Sequence, residues 1–238
     1  LRDRQVWVNQ PVSGGNMSMR ATFEAELNFL RDELLLLGNL VEQQLIDSVD
    51  AFKQRDVAAS REVVERDIKV NAKRYAIEEQ VLITIATQQP MAHDLRLLAS
   101  ILEIAGELER MGDYAKGIGT INIRMGDQEL IVPLVKIPLM AEKCSTMLHR
   151  AVNAFVNEDL EEAKDIPKED DEVDALYNEV YHTLLKLVVK DENSIERISW
   201  ILWVAHNLER VADRVTNICE RTIFTVTGEL KEIRSSDQ

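Results

Sequence analysis

Apolar residues in the first stretch fall at Phe23, Leu27, Leu30, Leu34, Leu37, Val41, Leu45 and Val49. Steps of three and four predict an amphipathic helix with a narrow core stripe. Asp56 is a suitable N-cap for a second helix carrying Val57, Val64, Ile68, Tyr75 and Leu82. Gln89-Pro90 ends it, because the residue before proline avoids the helical region. A third helix places Leu97, Ile101, Ala105, Leu108, Met111, Ala115 and Ile118 on one side and stops at Gly126-Asp127. Pro133 and Pro138 introduce a fourth helix reaching Phe155, and Asp159 caps a fifth. Asn193-Ser194 starts a sixth, with Ile198, Ile201, Ala205, Leu208, Val211, Val215 and Ile218 in register. Period-two alternation is rare and no Asn-Gly or Asp-Gly hairpin occurs, so strands are not expected.

The second half repeats the first. Asp50-Ala51-Phe52, Asp56 and Asp67-x-x-Val70-Asn71 meet Asn153-Ala154-Phe155, Asp159 and Asp170-x-x-Val173-Asp174 at a shift of 103 residues. At a shift of 100, eight of the eighteen positions from Ile101 to Ile118 meet identical residues. The chain therefore reads as a tandem duplication of a three-helix unit. The expected fold is all-α: two long antiparallel three-helix bundles, with helices of about 30 residues, or ~45 Å. The expected divisions are a leader over 1–16, a first bundle over 17–126, a second over 127–228 and a tail over 229–238. Pro167 falls where Val64 stands in the first copy, which predicts a kink or broken turn near residues 163–167.

Charge refines this picture. Among 238 residues, 42 are acidic and 28 basic, for a net charge of −14. That balance argues against nucleic-acid binding, which needs clustered Lys and Arg, and suits cations or basic protein surfaces instead. Two cysteines, Cys144 and Cys219, are too few for a disulfide framework and are expected to be small buried residues in a reducing cytoplasm. No apolar run nears the ~20 residues of a bilayer span. The first sixteen residues lack the apolar segment of a signal peptide. They are read as a tag-derived or loosely ordered leader, with Met17 or Met19 as the natural start.

The chemistry sits in a repeated motif, LERMGD over 108–113 and LERVAD over 208–213. Glu109 and Asp113, like Glu209 and Asp213, are four apart and share a helix face, where like charges repel. The second helix of each unit supplies a matching pair: Asp67 with Asn71, and Asp170 with Asp174. Packed against the third helix, these would form one oxygen-rich patch per bundle, of the kind a hard or borderline cation needs. The plain alternative is a solvated acidic face paired with Arg66, Arg110, Arg210 or Arg214.

The stretches QQPMAHDLRLL (88–98), ELERMGD (107–113) and NLERVADRVTNICE (207–220), with the Asp67 and Asp170 pairs, resemble the PhoU family of bacterial phosphate-uptake regulators. The resemblance spans about residues 17–227. It implies two similar three-helix bundles, a homodimer and a non-enzymatic cytoplasmic role. That role couples the ATP-binding subunit of a high-affinity phosphate ABC transporter to a sensor histidine kinase and represses the phosphate-starvation response, with only peripheral contact with membrane complexes. It further implies metal ions, in multinuclear clusters, with iron or zinc as the expected metals. They would lie on Glu109, Asp113, Glu209 and Asp213, with Asp67, Asn71, Asp170 and Asp174 as partners. The copies differ, with Asn71 against Asp174 and Gly117 against Asn217, so the second site is expected to hold metal better or with a different nuclearity. Direct contact of phosphate with such metals is a further expectation.

Other chemistries fit poorly. Glu179-x-x-His182 is half of a di-iron bundle signature, but no second such pair exists, and His182 is expected on the surface. His93 is read as a connector residue, and His149 and His206 as packing or surface residues. No nucleotide-binding glycine loop or nucleophile elbow occurs. A metal-dependent hydrolase or oxidase using the same carboxylates is the competing function. Trp200 and Trp203 are expected mainly in the core, with an interface anchor as the alternative.

Overall fold

The computed structural model describes residues 15–126, 128, 130, 134–188 and 194–233. Asp127, Pro133 and Asn193, invoked above as helix boundaries, lie outside the described residues, as does most of the expected leader. The described residues are helical and contain no strand. They form α1 (Gly15–Gln54), α2 (Val57–Gln88), α3 (His93–Met125), α4 (Lys136–Val156), α5 (Leu160–Asp165), a 3-10 turn (Ile166–Glu169), α6 (Asp170–Val188) and α7 (Ile195–Thr227). α1, α2 and α3 pack mutually, as do α4, α6 and α7. α3 against α7 and α1 against α4 then join the two bundles side by side.

The duplication extends to helix ends. After α1, Arg55 takes a left-handed φ of 57°, and the Asp56 N–H donates to the Ala51 carbonyl at 2.9 Å. After α4, Glu158 takes φ 54°, and the Asp159 N–H donates to the Ala154 carbonyl at 2.8 Å. Each Asp then turns round and caps the next helix, Asp56 accepting from the Ala59 N–H and Asp159 from the Glu162 N–H. This backward bond satisfies a carbonyl left over by the ending helix, and the cap satisfies an N–H left over by the starting one. Phe52 and Phe155, equivalent by the repeat, are both fully buried beneath these corners.

The fifth helix breaks where the repeat places its proline. Proline has no N–H and its ring crowds the carbonyl four residues back, so α5 stops at Asp165. The 3-10 turn carrying Ile166 and Pro167 into the core restarts the chain as α6. Pro138 is tolerated because it sits in the first turn of α4, where N–H groups have no intrahelical partner. α7 starts at Ile195, one residue after the expected boundary.

The apolar stripes predicted for α1, α3 and α7 are buried, with only Phe23 at the margin. α2 is different. Ile68, Tyr75 and Leu82, expected in its core stripe, face outward, and Val57 and Val64 lie at the margin. The core is filled instead by Val63, Val70, Ile77 and Val81, with Ser60, Asp67 and Thr84 on the same side. Both stripes have helical spacing, so periodicity alone did not select between them. Packing chose the branched residues one step round the helix, and carried Asp67 inward with them. Cys144 and Cys219 are free and buried, as expected, and burial pushes the Cys219 thiol up to about 12.

A candidate cation site in each repeat

In the first repeat α2 and α3 bring Asp67, Asn71, Glu109 and Asp113 to one region. The Asp67 side chain is only 5% exposed, and its Oδ2 accepts from Asn71 Nδ2 at 3.0 Å and from Lys116 Nζ at 2.8 Å. Lys116 also reaches Asp113 Oδ1 at 3.4 Å. An ammonium thus sits between two of the carboxylates named from the sequence, and its hydrogen bond to Asp67 holds its pKa above the usual lysine value. Asp67 Oδ1 is buried without a hydrogen-bond partner. Burial, then the charge of Asp113, raises the Glu109 carboxyl, against the opposing pull of Arg74.

In the second repeat α6 and α7 gather Asp170, Asp174, Glu209 and Asp213. No lysine follows the motif here, since Thr216 occupies the place of Lys116. Burial, followed by the charges of Asp174, Asp213, Asp171 and Glu209, pushes the Asp170 carboxyl up to about 7. Asp174 and Glu209 are raised as well, each by burial first and then by Asp213. Asp170 Oδ1 is buried without a hydrogen-bond partner, while Glu209 Oε2 has His206 Nδ1 3.2 Å away. A buried oxygen without a donor is costly, and a cation removes that cost. Arg210 pairs with Asp213 at 2.5 Å, while Arg214 turns away to Glu107 across the junction of the repeats.

Among the described residues, no group of three or more His, Cys, Asp or Glu side chains is already arranged to hold an ion. The carboxylates sense one another without converging on a point, as mutual repulsion dictates. The donor chemistry of the second repeat nonetheless fits a cation: four carboxylates, one of them with a buried unpartnered oxygen on Asp170. In the first repeat Lys116 supplies the positive charge from within the chain.

Sequence reasoning missed Lys116, Asp171, Tyr177 and His206 as neighbours of these sites. His206 Nδ1 lies 3.2 Å from Glu209 Oε2, and its ring stands 6.3 Å from those of both Tyr177 and Trp203. The missed signal was one turn of helix, because Lys116 is three residues after Asp113 and His206 three before Glu209. His182 is exposed, as expected. His93 does connect elements, since its Nε2 meets Glu158 Oε2 at 2.8 Å while Arg31 holds Glu158 Oε1 at 2.5 Å. Trp203 is a correction: at 58% exposed it is not core. With the half-buried Trp200 it lines a groove of ≈ 550 Å³ between α3 and α7 beside Asp113, Lys116 and Arg124.

A duplicated three-helix bundle whose repeats each turn a Glu-x-x-x-Asp motif toward an Asp-x-x-x-Asn or Asp-x-x-x-Asp pair on the neighbouring helix defines a class of paired helical carboxylate proteins. The family model described as "PhoU domain" matches residues 34–121 and 137–222, one match per repeat, and the chain belongs to that family. The phosphate-specific transport system accessory protein PhoU of Edwardsiella tarda is 36% identical over 214 residues, covering 90% of this chain and 88% of that protein. Its counterpart in Escherichia coli is 34% identical, covering 90% and 89%. The crystal structure of PhoU from Pseudomonas aeruginosa superimposes with a TM-score of 0.82 at 32% identity, covering 87% of this chain and 100% of that one. The phosphate transport system regulatory protein PhoU from Streptococcus pneumoniae gives 0.82 at 29%, covering 89% and 100%.

Proposed function

We propose that this protein is a non-enzymatic, cytoplasmic regulator of phosphate uptake. It works as a homodimer that bridges the ATP-binding subunit of a phosphate ABC transporter and a sensor histidine kinase, and it represses the phosphate-starvation response when phosphate is plentiful. The observation that carries this reading is the likeness over nine-tenths of the chain to proteins named as accessory to phosphate-specific transport. Among the described residues no helix is long and apolar enough to cross a membrane, which accords with peripheral contact with a membrane complex.

Metal ions, with iron or zinc as the first candidates, belong to this proposal. Asp170, Asp174, Glu209 and Asp213 would hold them in the second repeat, and Asp67, Asn71, Glu109 and Asp113 in the first once Lys116 moves aside. A bound cation would neutralise the cluster and fix α6 against α7. The support is an unpartnered buried oxygen in each repeat, on Asp67 and on Asp170, and the mutual raising of the Asp170, Asp174 and Glu209 carboxyls in the second. An ion with open coordination positions could in turn present itself to phosphate or to an acidic partner surface.

A pull-down from cells grown with and without phosphate tests the regulatory role. Recovery of transporter and kinase components in a phosphate-dependent manner is expected, and recovery of neither overturns it. Elemental analysis of the parent and Glu209→Gln proteins tests the metal: loss of about half or more of the bound metal is expected, and equal content defeats the assignment. Turnover of phosphoesters by metal-loaded protein would favour the competing hydrolase.

A further inference from the structure

The second apolar stripe of α2 has no role inside the bundle. Ile68, Tyr75 and Leu82 are 72%, 59% and 54% exposed and lie seven residues apart, on one side of the helix. The exposed positions from 68 to 87 are Ile68, Lys69, Ala72, Tyr75, Ala76, Glu79, Leu82, Ile83, Ala86 and Thr87, a surface with one positive and one negative charge. On α1, Phe29 and Leu36 are half-exposed with the same seven-residue spacing. Between the helices runs a groove of ≈ 370 Å³ bordered by Phe29, Glu33, Ala76, Glu79 and Ile83. The fold does not require this face. At the shift of 103, the second repeat keeps an exposed Leu185 in place of Leu82 but has Asp171, Asn178 and Lys186 in place of Ile68, Tyr75 and Ile83, on an equivalent helix.

We propose that the outward face of α2 is the surface through which two copies of this chain pair, helix against helix and antiparallel. The proposal rests on the homodimer put forward above and assigns its face. A two-fold contact needs a surface that matches itself, and this one does. With the axis between Tyr75 and Ala76, each Tyr75 meets the partner subunit's Ala76, a large residue against a small one. Ile68 then meets the partner subunit's Ile83, and Lys69 lies within one helical turn of the partner subunit's Glu79. Neither Lys69 nor Glu79 has an ion pair within the chain among the described residues. A chain of net charge −14 repels its own copy, so pairing needs a patch that is apolar and locally neutral, as this face is.

The test is the mass of the full chain by analytical ultracentrifugation across a concentration series. The parent is expected to sediment as a dimer. I68D/Y75N/I83K, which imports the residues of the second repeat, is expected to be monomeric with unchanged helical circular dichroism. K69E alone should weaken dimerisation about tenfold, and K69E/E79K should restore it. A parent that is monomeric throughout overturns both this inference and the homodimer. A triple variant that stays dimeric overturns the face alone and leaves the homodimer standing. Failure of the double reversal to restore a dimer weakened by K69E overturns the antiparallel register.

Discussion

At one point on the third helix of each repeat, the first half of the chain carries Lys116 and the second half Thr216, on helices of 33 residues each. In the first repeat the lysine lies against Asp67 and Asp113, and one of the cluster's three negative charges is offset from within. In the second, Arg210 pairs with Asp213 and His206 with Glu209 at the edge of the cluster, no lysine lies against Asp170, and its carboxyl is pushed up to about 7. A second contrast lies between the first two helical segments of each repeat. The Asp47–Arg66 pair of the first repeat recurs as Arg150–Glu169 in the second, with the charges exchanged. A duplicated ion pair can swap its signs without loss, because the attraction depends only on opposite charge. A cation site cannot, because replacing an oxygen ligand's freedom with an internal ammonium changes what the site can hold.

This contrast can be broken or sharpened by substitution. The largest expected effect is the one that should not distinguish the repeats. Phe52→Ala and Phe155→Ala should each cost about 3–5 kcal/mol in urea unfolding, since both rings are fully buried under equivalent corners. A gap of more than about 2 kcal/mol between them would show that one bundle carries the stability. Next, Lys116→Thr gives the first repeat the residue of the second. Metal-free protein should lose about 1–3 kcal/mol, because buried Asp67 loses its charged donor and keeps only Asn71, and cation uptake measured by calorimetry should rise. No gain in uptake would mean that the lysine is not what separates the two sites.

The second repeat should respond with the opposite sign. Asp170→Asn removes one charge from a mutually repelling set, so metal-free protein at pH 8 should melt about 2–4 °C higher. Asp67→Asn should lower the melting temperature instead. The smallest effect is again shared: Asp56→Ala and Asp159→Ala should each cost about 1 kcal/mol through the lost helix cap.

Much of this was written in local pattern. The apolar stripes of α1, α3 and α7, the caps at Asp56 and Asp159 and the break at Pro167 are short-range consequences of side-chain chemistry. The candidate carboxylates stood out for the same reason: four apart on a helix means one face, and duplication marked which pairs to notice. α2 was not legible, because it carries two apolar stripes and the sequence contains no rule for choosing between them. Lys116 and His206 were passed over because each looks like an ordinary surface residue until α2 and α6 pack alongside.

The residues alone thus determined an acidic, all-helical, duplicated chain with two places for carboxylates to gather, since periodicity, caps and breakers act within a turn or two of helix. Which stripe of α2 enters the core, whether a lysine of the chain lies against a gathered cluster, and which apolar face stays exposed were settled only on packing. Those outcomes depend on what stands across the interface, and neighbouring helices lie tens of residues away along the chain.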